Sequence, residues 1–162
     1  MINYKLQIDD FDEVDYSLIA IHTALDDYRL AYFINKNLSI NLSKNENEIP
    51  ISVKDGETFF TRFDFEDFEN GVLWSLIQNE NEIIIEKKGT NFDLFADTIQ
   101  EISKKVHLLP DFKKVNYFLK INNTETYIDL SKTTEILNTI DRISTVYIVD
   151  LNKIKNKNNL IF

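Results

Sequence analysis

The pattern of apolar positions near the start of the chain predicts two strands followed by a helix. Residues 3–8 and 16–22 are short apolar runs typical of strands, and the second run is rich in isoleucine, as buried strands are. An acidic loop is predicted between them. Thr23 ends the second strand and is predicted to cap a helix over 24–37, with Asp26 completing an approximate capping box.

The apolar side chains of this helix cover more of its surface than one buried face needs. At about 100° per residue they occupy well over half of the circumference. The set consists of Leu25, Tyr28, Leu30, Ala31, Tyr32, Phe33 and Ile34. We therefore expect the helix to be covered on two sides, by its own sheet and by something else.

The middle of the chain predicts an antiparallel meander, because short alternating runs are separated by turn pairs such as Asp55-Gly56 and Asn70-Gly71. The predicted strands are 38–43, 49–54, 58–66, 71–78 and 82–87. The third strand is predicted to be half-buried, since its residues alternate cleanly. One face would hold Phe59, Thr61, Phe63 and Phe65, and the other Phe60, Arg62, Asp64 and Glu66.

The second half of the chain predicts three more strands and a second helix. Residues 97–103 fit a helical turn or a loop. A strand ending at Leu109, a turn at Pro110–Asp111 and a strand over 115–121 follow. The side chains of the latter strand predicted to face the core are Val115, Tyr117, Leu119 and Ile121.

A helix is predicted over 130–142, with one narrow apolar stripe formed by Ile136, Leu137, Ile140 and Ile143. The strand predicted over 145–151 is apolar on both faces, which is typical of a central strand. Residues 160–162 are too apolar to be left unpacked. Together these elements predict an α+β fold, with a mostly antiparallel sheet and about two packed helices.

Composition narrows the class of protein. With 3 Gly and 2 Pro no linker divides the chain, so we expect one globular domain over residues 1–162. The chain has no cysteine, which excludes a disulfide scaffold, a thiol nucleophile and a cysteine-bound metal. No signal peptide or membrane-spanning run is recognisable, and we expect a cytoplasmic protein.

The formal net charge is −9, and the acidic residues concentrate in residues 1–101. A protein this acidic repels phosphate backbones, so direct nucleic-acid binding is disfavoured. Two acidic clusters, 9–15 and 64–69, could bind a hard cation, but the favoured interpretation is a solvated acidic face. The first cluster lacks the alternating ligands and the glycine of a calcium loop, and the second straddles the end of a predicted strand. Such a face would attract a basic protein partner. No metal site and no cofactor are predicted.

The segment LLPDFKKVNYFLKI, residues 108–121, resembles the signature of the small bacterial IPExxxVDY family. The matching positions are Pro110, Val115 and Tyr117. The stretches LIAIHTALDDYRLAYFINKNL and KNKNNLIF also resemble that family. The resemblance implies a soluble bacterial protein without an assigned activity, whose gene often lies near those for ribonuclease III and pyruvate kinase.

Two positions depart from the signature. Asp111 stands where it has Glu, and Asn116 where it has Asp. Replacing Asp by Asn keeps the shape and removes the charge, so this position is no obligatory general base or nucleophile. We therefore predict a structural role for the motif, as a proline turn followed by a strand in which Tyr117 packs inward.

The residue that invites a functional interpretation is His22, at the predicted strand-to-helix junction. Acidic and basic side chains follow within one turn, so a small-molecule or interaction site is predicted around His22, Asp26, Tyr28 and Arg29. For His22 itself the favoured interpretation is a buried structural histidine, hydrogen-bonded by an aspartate or a carbonyl. No catalytic residue is predicted.

The sequence favours a non-enzymatic protein-interaction module over an enzyme. A dense aromatic group is interpreted first as core and second as an interface; it consists of Phe59, Phe60, Phe63, Phe65, Phe68 and Trp74. The partner would be a second copy, as a homodimer, or another protein. A basic partner would link the module to RNA metabolism or the ribosome. The alternative function is a small enzyme or ligand-binding domain with its site around His22.

Overall fold

The computed structural model of the chain describes residues 15–88, 99–123 and 128–162. These residues form ten strands and two α-helices: β1 (Tyr16–Thr23), α1 (Asp27–Leu38), β2 (Ser43–Lys44), β3 (Ile49–Val53), β4 (Gly56–Phe60), β5 (Arg62–Asp67), β6 (Val72–Gln78), β7 (Glu80–Lys88), β8 (Ile99–His107), β9 (Tyr117–Asn123), α2 (Leu130–Asn138) and β10 (Ile143–Ile148). Short 3-10 helices span Pro110–Phe112, Leu151–Lys153 and Lys157–Leu160.

Six of the strands form one antiparallel sheet, in the order β10-β1-β9-β6-β5-β2. The other four form two separate hairpins, β3–β4 and β7–β8. The predicted α+β class, with mostly antiparallel strands and two helices, is confirmed. The predicted strand at 3–8 and most of the acidic stretch 9–15 lie outside the described residues.

Both helices pack on one face of the six-stranded sheet. The amphipathic helix α1 buries Leu30, Ala31 and Ile34 there, and α2 buries Leu137. Alternate residues of the central strands complete this layer, since successive side chains of a strand point to opposite faces. They include Ile19, Ile21, Leu76, Leu119 and Ile121.

The opposite face of the sheet is covered by the hairpins and by chain that lies outside the strands. From the sheet come Leu18, Ala20, Ile77 and Phe118; from the covering segments come Phe60, Leu108, Leu109, Val115, Ile154 and Leu160. The central strands are therefore buried on both faces. This explains why residues 18–21 in the middle of β1 are a continuous apolar run rather than an alternating one.

The prediction that residues 160–162 are packed is confirmed only for Leu160. Leu160 is fully buried, whereas Ile161 is 74% exposed and Phe162 is 41% exposed. The buried Lys120 ammonium donates to the Leu160 carbonyl at 2.7 Å. The same ammonium lies 4.6 Å from the ring centroid of Phe162 and 4.9 Å from that of Tyr16. Burial lowers the pKa of Lys120, and the aromatic faces and the carbonyl partly compensate for its desolvation.

The predicted cap of the first helix is wrong. Thr23 belongs to β1, and α1 begins at Asp27 with Asp26 at its N-cap position. The Thr23 hydroxyl accepts the Leu25 N–H at 3.1 Å and donates to the Arg142 carbonyl at 2.8 Å. These two bonds hold a turn between strand and helix, so the helix starts one turn later.

The predicted strand at 38–43 is also wrong. The helix α1 continues to Leu38, and Ser39 ends it in a left-handed conformation with φ 55°. The backbone of Leu42 pairs with a side chain instead of a strand, because Asn35 accepts its N–H at 2.7 Å and donates to its carbonyl at 3.0 Å. Only the two residues of β2 enter the sheet.

The predicted strand 58–66 is two strands that meet at Thr61. The first, β4, pairs with β3 in a hairpin, whereas β5 pairs with β6 in the main sheet. Phe60 is fully buried on the hairpin side and Phe63 is buried on the helix side. Placing Phe60 on a polar face was therefore wrong.

The final strand lies at the edge of the sheet rather than at its centre, so that prediction is wrong as well. Only Ile143 and Val146 of β10 are buried. The second helix ends at Asn138, four residues earlier than predicted. Residues 99–103, predicted as a helical turn or loop, belong to β8; the preceding two lie outside the described part of the chain.

Candidate functional site

The segment that carries the family resemblance is fastened to its surroundings through backbone contacts. Pro110 opens a 3-10 helix, and the following Asp111 carboxylate accepts the Lys155 N–H at 3.2 Å. Val115 is fully buried, against the hairpin side of the sheet, whereas Tyr117 begins β9 and faces the helices. The prediction that both face the same core layer is therefore wrong.

Asn116 links this segment to the end of β1. Its Oδ1 accepts the Thr23 N–H at 2.8 Å, and its own N–H donates to the Ile21 carbonyl at 3.2 Å. An aspartate would accept the same bond from Thr23, which gives a physical reason why Asn and Asp are interchangeable in shape here. The contact of Asn116 with β1 therefore holds two backbone segments together, and it provides no group that would accept a proton from a substrate.

Asn79, which lies between the last two predicted strands of the meander, is fully buried, and its N–H donates to the Asn116 carbonyl at 3.0 Å. Its Nδ2 donates to the carbonyls of Phe112 and Val115, at 2.9 and 2.8 Å, and its Oδ1 accepts the Leu109 N–H at 2.9 Å. One amide thereby satisfies three backbone groups of the motif segment. Among 18 asparagines nothing in the local sequence distinguishes this one.

Tyr117 connects the motif to the turn before α1. Its hydroxyl donates to the Leu25 carbonyl at 2.9 Å. Burial, followed by the charges of Asp27 and Asp26, raises the pKa of Tyr117 to about 12. The phenol therefore keeps its proton near neutral pH and acts as a hydrogen-bond donor to the backbone rather than as a general base.

Beside this turn lies a concave surface of about 660 Å³, which we name the tyrosine–arginine groove. Its apolar lining is Leu25, Tyr28, Tyr32 and Phe33, and its charged lining is Arg29, Asp141 and Arg142. The first helix supplies one wall and the turn between α2 and β10 supplies the other. Two of the predicted site residues, Tyr28 and Arg29, therefore lie together in one groove.

The tyrosines of α1 are exposed to an extent unusual for such large side chains. Tyr28 is 58% exposed and Tyr32 is 61% exposed. The Tyr32 and Phe33 rings meet edge to face, with centroids 5.4 Å apart. The helix is covered by its sheet on one side, and in the described part of the chain no element covers the tyrosines.

The two arginines of the groove have different supports. The Arg29 guanidinium lies 5.9 Å from the centroid of the Tyr28 ring. Arg142 has a positive φ of 69°, a left-handed conformation that non-glycine residues rarely adopt. The Thr23 hydroxyl holds it there by donating to the Arg142 carbonyl.

His22 does not join this groove. In β1 it follows the alternation of Leu18 and Ala20, which face away from the helices, and its ring centroid lies 5.7 Å from that of Tyr147 on β10. It is half-buried, and within the described residues its ring makes no hydrogen bond. Asp26 occupies the N-cap position of α1, on the helix side of the sheet, without a side-chain capping bond, so the four predicted residues do not converge on one centre.

The aromatic group predicted as core or interface divides between the two. Phe60, Phe63 and Trp74 are buried, whereas Phe68 is 81% exposed at the turn between β5 and β6. Phe68 and the acidic residues around it, Glu66, Asp67 and Glu69, form what we call the acidic corner. Among the described residues, no cluster of histidine, aspartate or glutamate side chains is suited to hold a metal ion.

Comparison of the chain with protein-family models, with curated proteins and with solved structures gave no match. The resemblance to the IPExxxVDY family stays a prediction. Neither helix of the described residues is long and apolar enough to cross a membrane.

Proposed function

We propose that this protein is a non-enzymatic interaction module that binds another protein through the tyrosine–arginine groove. The observation that carries the proposal is the exposure of Tyr28 and Tyr32 beside Arg29 on one face of α1. Tyrosine and arginine dominate the binding energy of protein interfaces, because they combine large contact area with directed hydrogen bonds. A partner that covered the two tyrosines would remove their apolar ring surface from water, which favours association.

The arrangement of titratable groups supports binding rather than catalysis. His22 and the groove lie on opposite sides of the sheet, and Tyr117 has a raised pKa and is committed to a backbone carbonyl. General acid–base catalysis requires such groups within hydrogen-bond reach of one substrate. In the described residues they do not converge on a common point.

The charge of the chain indicates the kind of partner. A net charge of −9 attracts basic proteins at long range. The acidic corner provides a second contact for such a partner, because its carboxylates surround the exposed Phe68. The link to RNA metabolism or the ribosome belongs to this proposal, and it would run through a basic protein rather than through RNA.

A small-molecule site is the second candidate, and the volume of the groove favours it. About 660 Å³ lies within the range of ligand pockets, which are roughly 300–1,000 Å³. The exposure of the tyrosines argues for a macromolecular partner instead, since ligand pockets enclose most of their lining.

The test is affinity capture from a lysate of the encoding organism, using tagged protein with and without nuclease. We expect a stoichiometric partner that resists nuclease and is lost with the double variant Tyr28→Ser/Tyr32→Ser. The matched control is Tyr147→Ser, on the far side of the sheet, which should keep the partner. Retention by the double variant would refute the groove as the contact surface, and loss on nuclease treatment would show an RNA bridge.

A further inference from the structure

We infer that the tyrosine–arginine groove receives a carboxylate of the partner, carried on an acidic side chain that follows or precedes an aromatic residue. This inference deepens the proposed function and rests on it. The partner is basic overall and presents this one acidic segment at the contact. Three observations support the inference: Arg29 and Arg142 both line the groove, neither forms an ion pair within the described residues, and Arg142 has a left-handed backbone conformation.

The first observation is where the chain uses arginine. Of its 18 basic residues only three are arginines, and two of these, Arg29 and Arg142, line the groove. The lysines whose side chains are described are exposed cations, apart from the buried Lys120. Arginine differs in having a planar fork that binds a carboxylate through two parallel hydrogen bonds and also stacks on aromatic rings.

The second observation is that these charges are available. The third arginine, Arg62, lies 3.6 Å from the Asp64 carboxylate and stacks over Phe162. In contrast, neither Arg29 nor Arg142 forms an ion pair within the described part of the chain. Asp141 is the single acidic residue among the groove's charged lining, so the lining retains a net positive charge in an acidic protein.

The third observation is the backbone of Arg142. Glycine or asparagine would adopt its φ of 69° at lower cost, and the hydrogen bond from Thr23 across the sheet edge maintains it. Strained residues of this kind concentrate where a side chain must be aimed at a ligand. The strain therefore agrees with the charge in pointing to Arg142 as a binding residue.

The apolar lining decides what accompanies the carboxylate. Tyr28 and Tyr32 offer flat surfaces next to the guanidinium groups, which suits an aromatic ring beside the acid. A phosphate backbone is a poor candidate, because its repeated charges would meet the surrounding acidic surface. A single acidic residue flanked by apolar ones meets the arginines without that repulsion.

The experiment is an NMR titration of the isotopically labelled full chain with the capped peptide Ser-Phe-Glu-Phe-Ser and with its Gln counterpart. We expect shifts at the backbone amides of Tyr28, Arg29 and Arg142, and an affinity at least about tenfold weaker for the Gln peptide. Equal binding of both peptides, or shifts confined to other surfaces, would overturn the inference.

Three variants separate charge from folding. Arg142→Asn removes the charge yet suits the left-handed backbone, and Arg29→Gln removes the charge and preserves the helix. Each substitution should weaken the binding of the Glu peptide about tenfold and leave the binding of the Gln peptide unchanged. Arg142→Lys should recover only part of the loss, because lysine lacks the fork. Full binding by Arg142→Asn would contradict the inference.

Two further measurements identify other occupants. The first is the affinity for phenylacetate. If phenylacetate binds as tightly as the Glu peptide, the groove is a small-molecule site and the inference of a protein partner is refuted. The second measurement is concentration-dependent self-association of the chain. If it occurs and is lost in each of the single variants Arg142→Asn and Phe68→Ser, the groove is occupied by a second copy of the chain, and the inference of a different partner protein is refuted. If capture survives Arg142→Asn but not Tyr28→Ser/Tyr32→Ser, the inference fails while the proposed function stands.

Discussion

At the scale of single residues, the side-chain amides of a buried and a half-buried asparagine hold backbone segments of this protein in place. Asn79 and Asn116 fasten the motif segment to the strand ends, each through backbone groups that would otherwise be unpaired. A buried polar group left without its partner costs about 1–3 kcal/mol, which is more than a satisfied hydrogen bond contributes. Such residues therefore affect stability more than their size suggests.

We expect Asn79→Ala to lower the free energy of unfolding by about 3 kcal/mol, because the Val115 carbonyl and the Leu109 N–H lose their partner in a site closed to water, and the Phe112 carbonyl keeps only the Val115 N–H. Urea denaturation followed by circular dichroism measures the change. The exposed Asn158→Ala should alter stability by less than about 0.5 kcal/mol. A loss of similar size in both variants would contradict the role assigned to Asn79.

The raised pKa of Tyr117 predicts how the stability of the protein changes at alkaline pH. The pKa of Tyr117 is raised from 10.0 to about 12 in the folded protein, so the folded state favours the protonated phenol. The stabilisation from this group is present below pH 10, and it declines as pH rises from about 10 to about 12. Tyr117→Phe should remove this part of the pH dependence, and it should cost about 1 kcal/mol at pH 7 because the Leu25 carbonyl loses its donor.

Denaturation at a series of pH values between 8 and 12 tests this directly. Tyr32→Phe, at an exposed position, is the matched control, since it removes a hydroxyl outside the core. A Tyr117→Phe protein whose stability declines with pH as steeply as that of the unsubstituted chain would refute the assignment.

At the scale of elements, the exposed edge of the sheet is protected by a side chain. The Asn138 amide, at the end of α2, accepts the Val146 N–H at 3.0 Å and donates to the Val146 carbonyl at 3.3 Å. It occupies the place where another strand would bond to the middle of β10. Proteins commonly block edge strands in this way, because open edges pair with other chains.

We expect Asn138→Ala to increase self-association through β10, with a loss of stability of about 1 kcal/mol from the hydrogen bonds. Sedimentation velocity over a range of concentrations measures the association. Asn158→Ala again serves as the control. An Asn138→Ala protein that sediments like the unsubstituted chain at every concentration would show that the edge needs no such protection.

The elements also show what the sequence could and could not predict. The strands at 16–22, 71–78 and 82–87 were predicted correctly, because their periodicity and turn residues are local properties. The position of β10 was not, since apolar residues on both faces are also compatible with an edge strand against a helix. The break at Thr61 was missed because both halves of the run alternate in the same way.

The groove was predicted only in part, and for the same reason. Tyr28 and Arg29 could be predicted because they follow His22 and the strand-to-helix junction closely in the sequence. Arg142 is brought to them by the pairing of β1 with β10, and its backbone is held by Thr23. Long-range pairing of this kind leaves no local signal in the sequence, so two of the three charged lining residues, Asp141 and Arg142, could not be found.

At the scale of the whole molecule, charge opposes folding. A net charge of −9 on a chain of 162 residues repels itself, and the described ion pairs lie largely at exposed positions where they contribute little. Salt screens this repulsion over a distance of about 10 Å at 0.1 M. The balance between repulsion and ion pairs therefore decides how salt affects stability.

We expect the melting temperature to rise by a few degrees between about 0.05 and 0.5 M sodium chloride, which calorimetry measures. The variant Glu66→Gln/Glu69→Gln, which removes two charges from the acidic corner, should show a smaller rise. A melting temperature that falls with salt would mean that ion pairs outweigh self-repulsion.

The order of strands in the main sheet has a consequence for how the protein is made. The strand β1 lies between β9 and β10, whose residues are synthesised about a hundred positions later. During translation the isoleucine-rich β1 has no strand to pair with until β9 and β10 have been synthesised, whereas the local hairpin β5–β6 can form earlier. Pairing of such distant segments is slow, and the waiting strand is a natural binding site for chaperones that hold nascent chains.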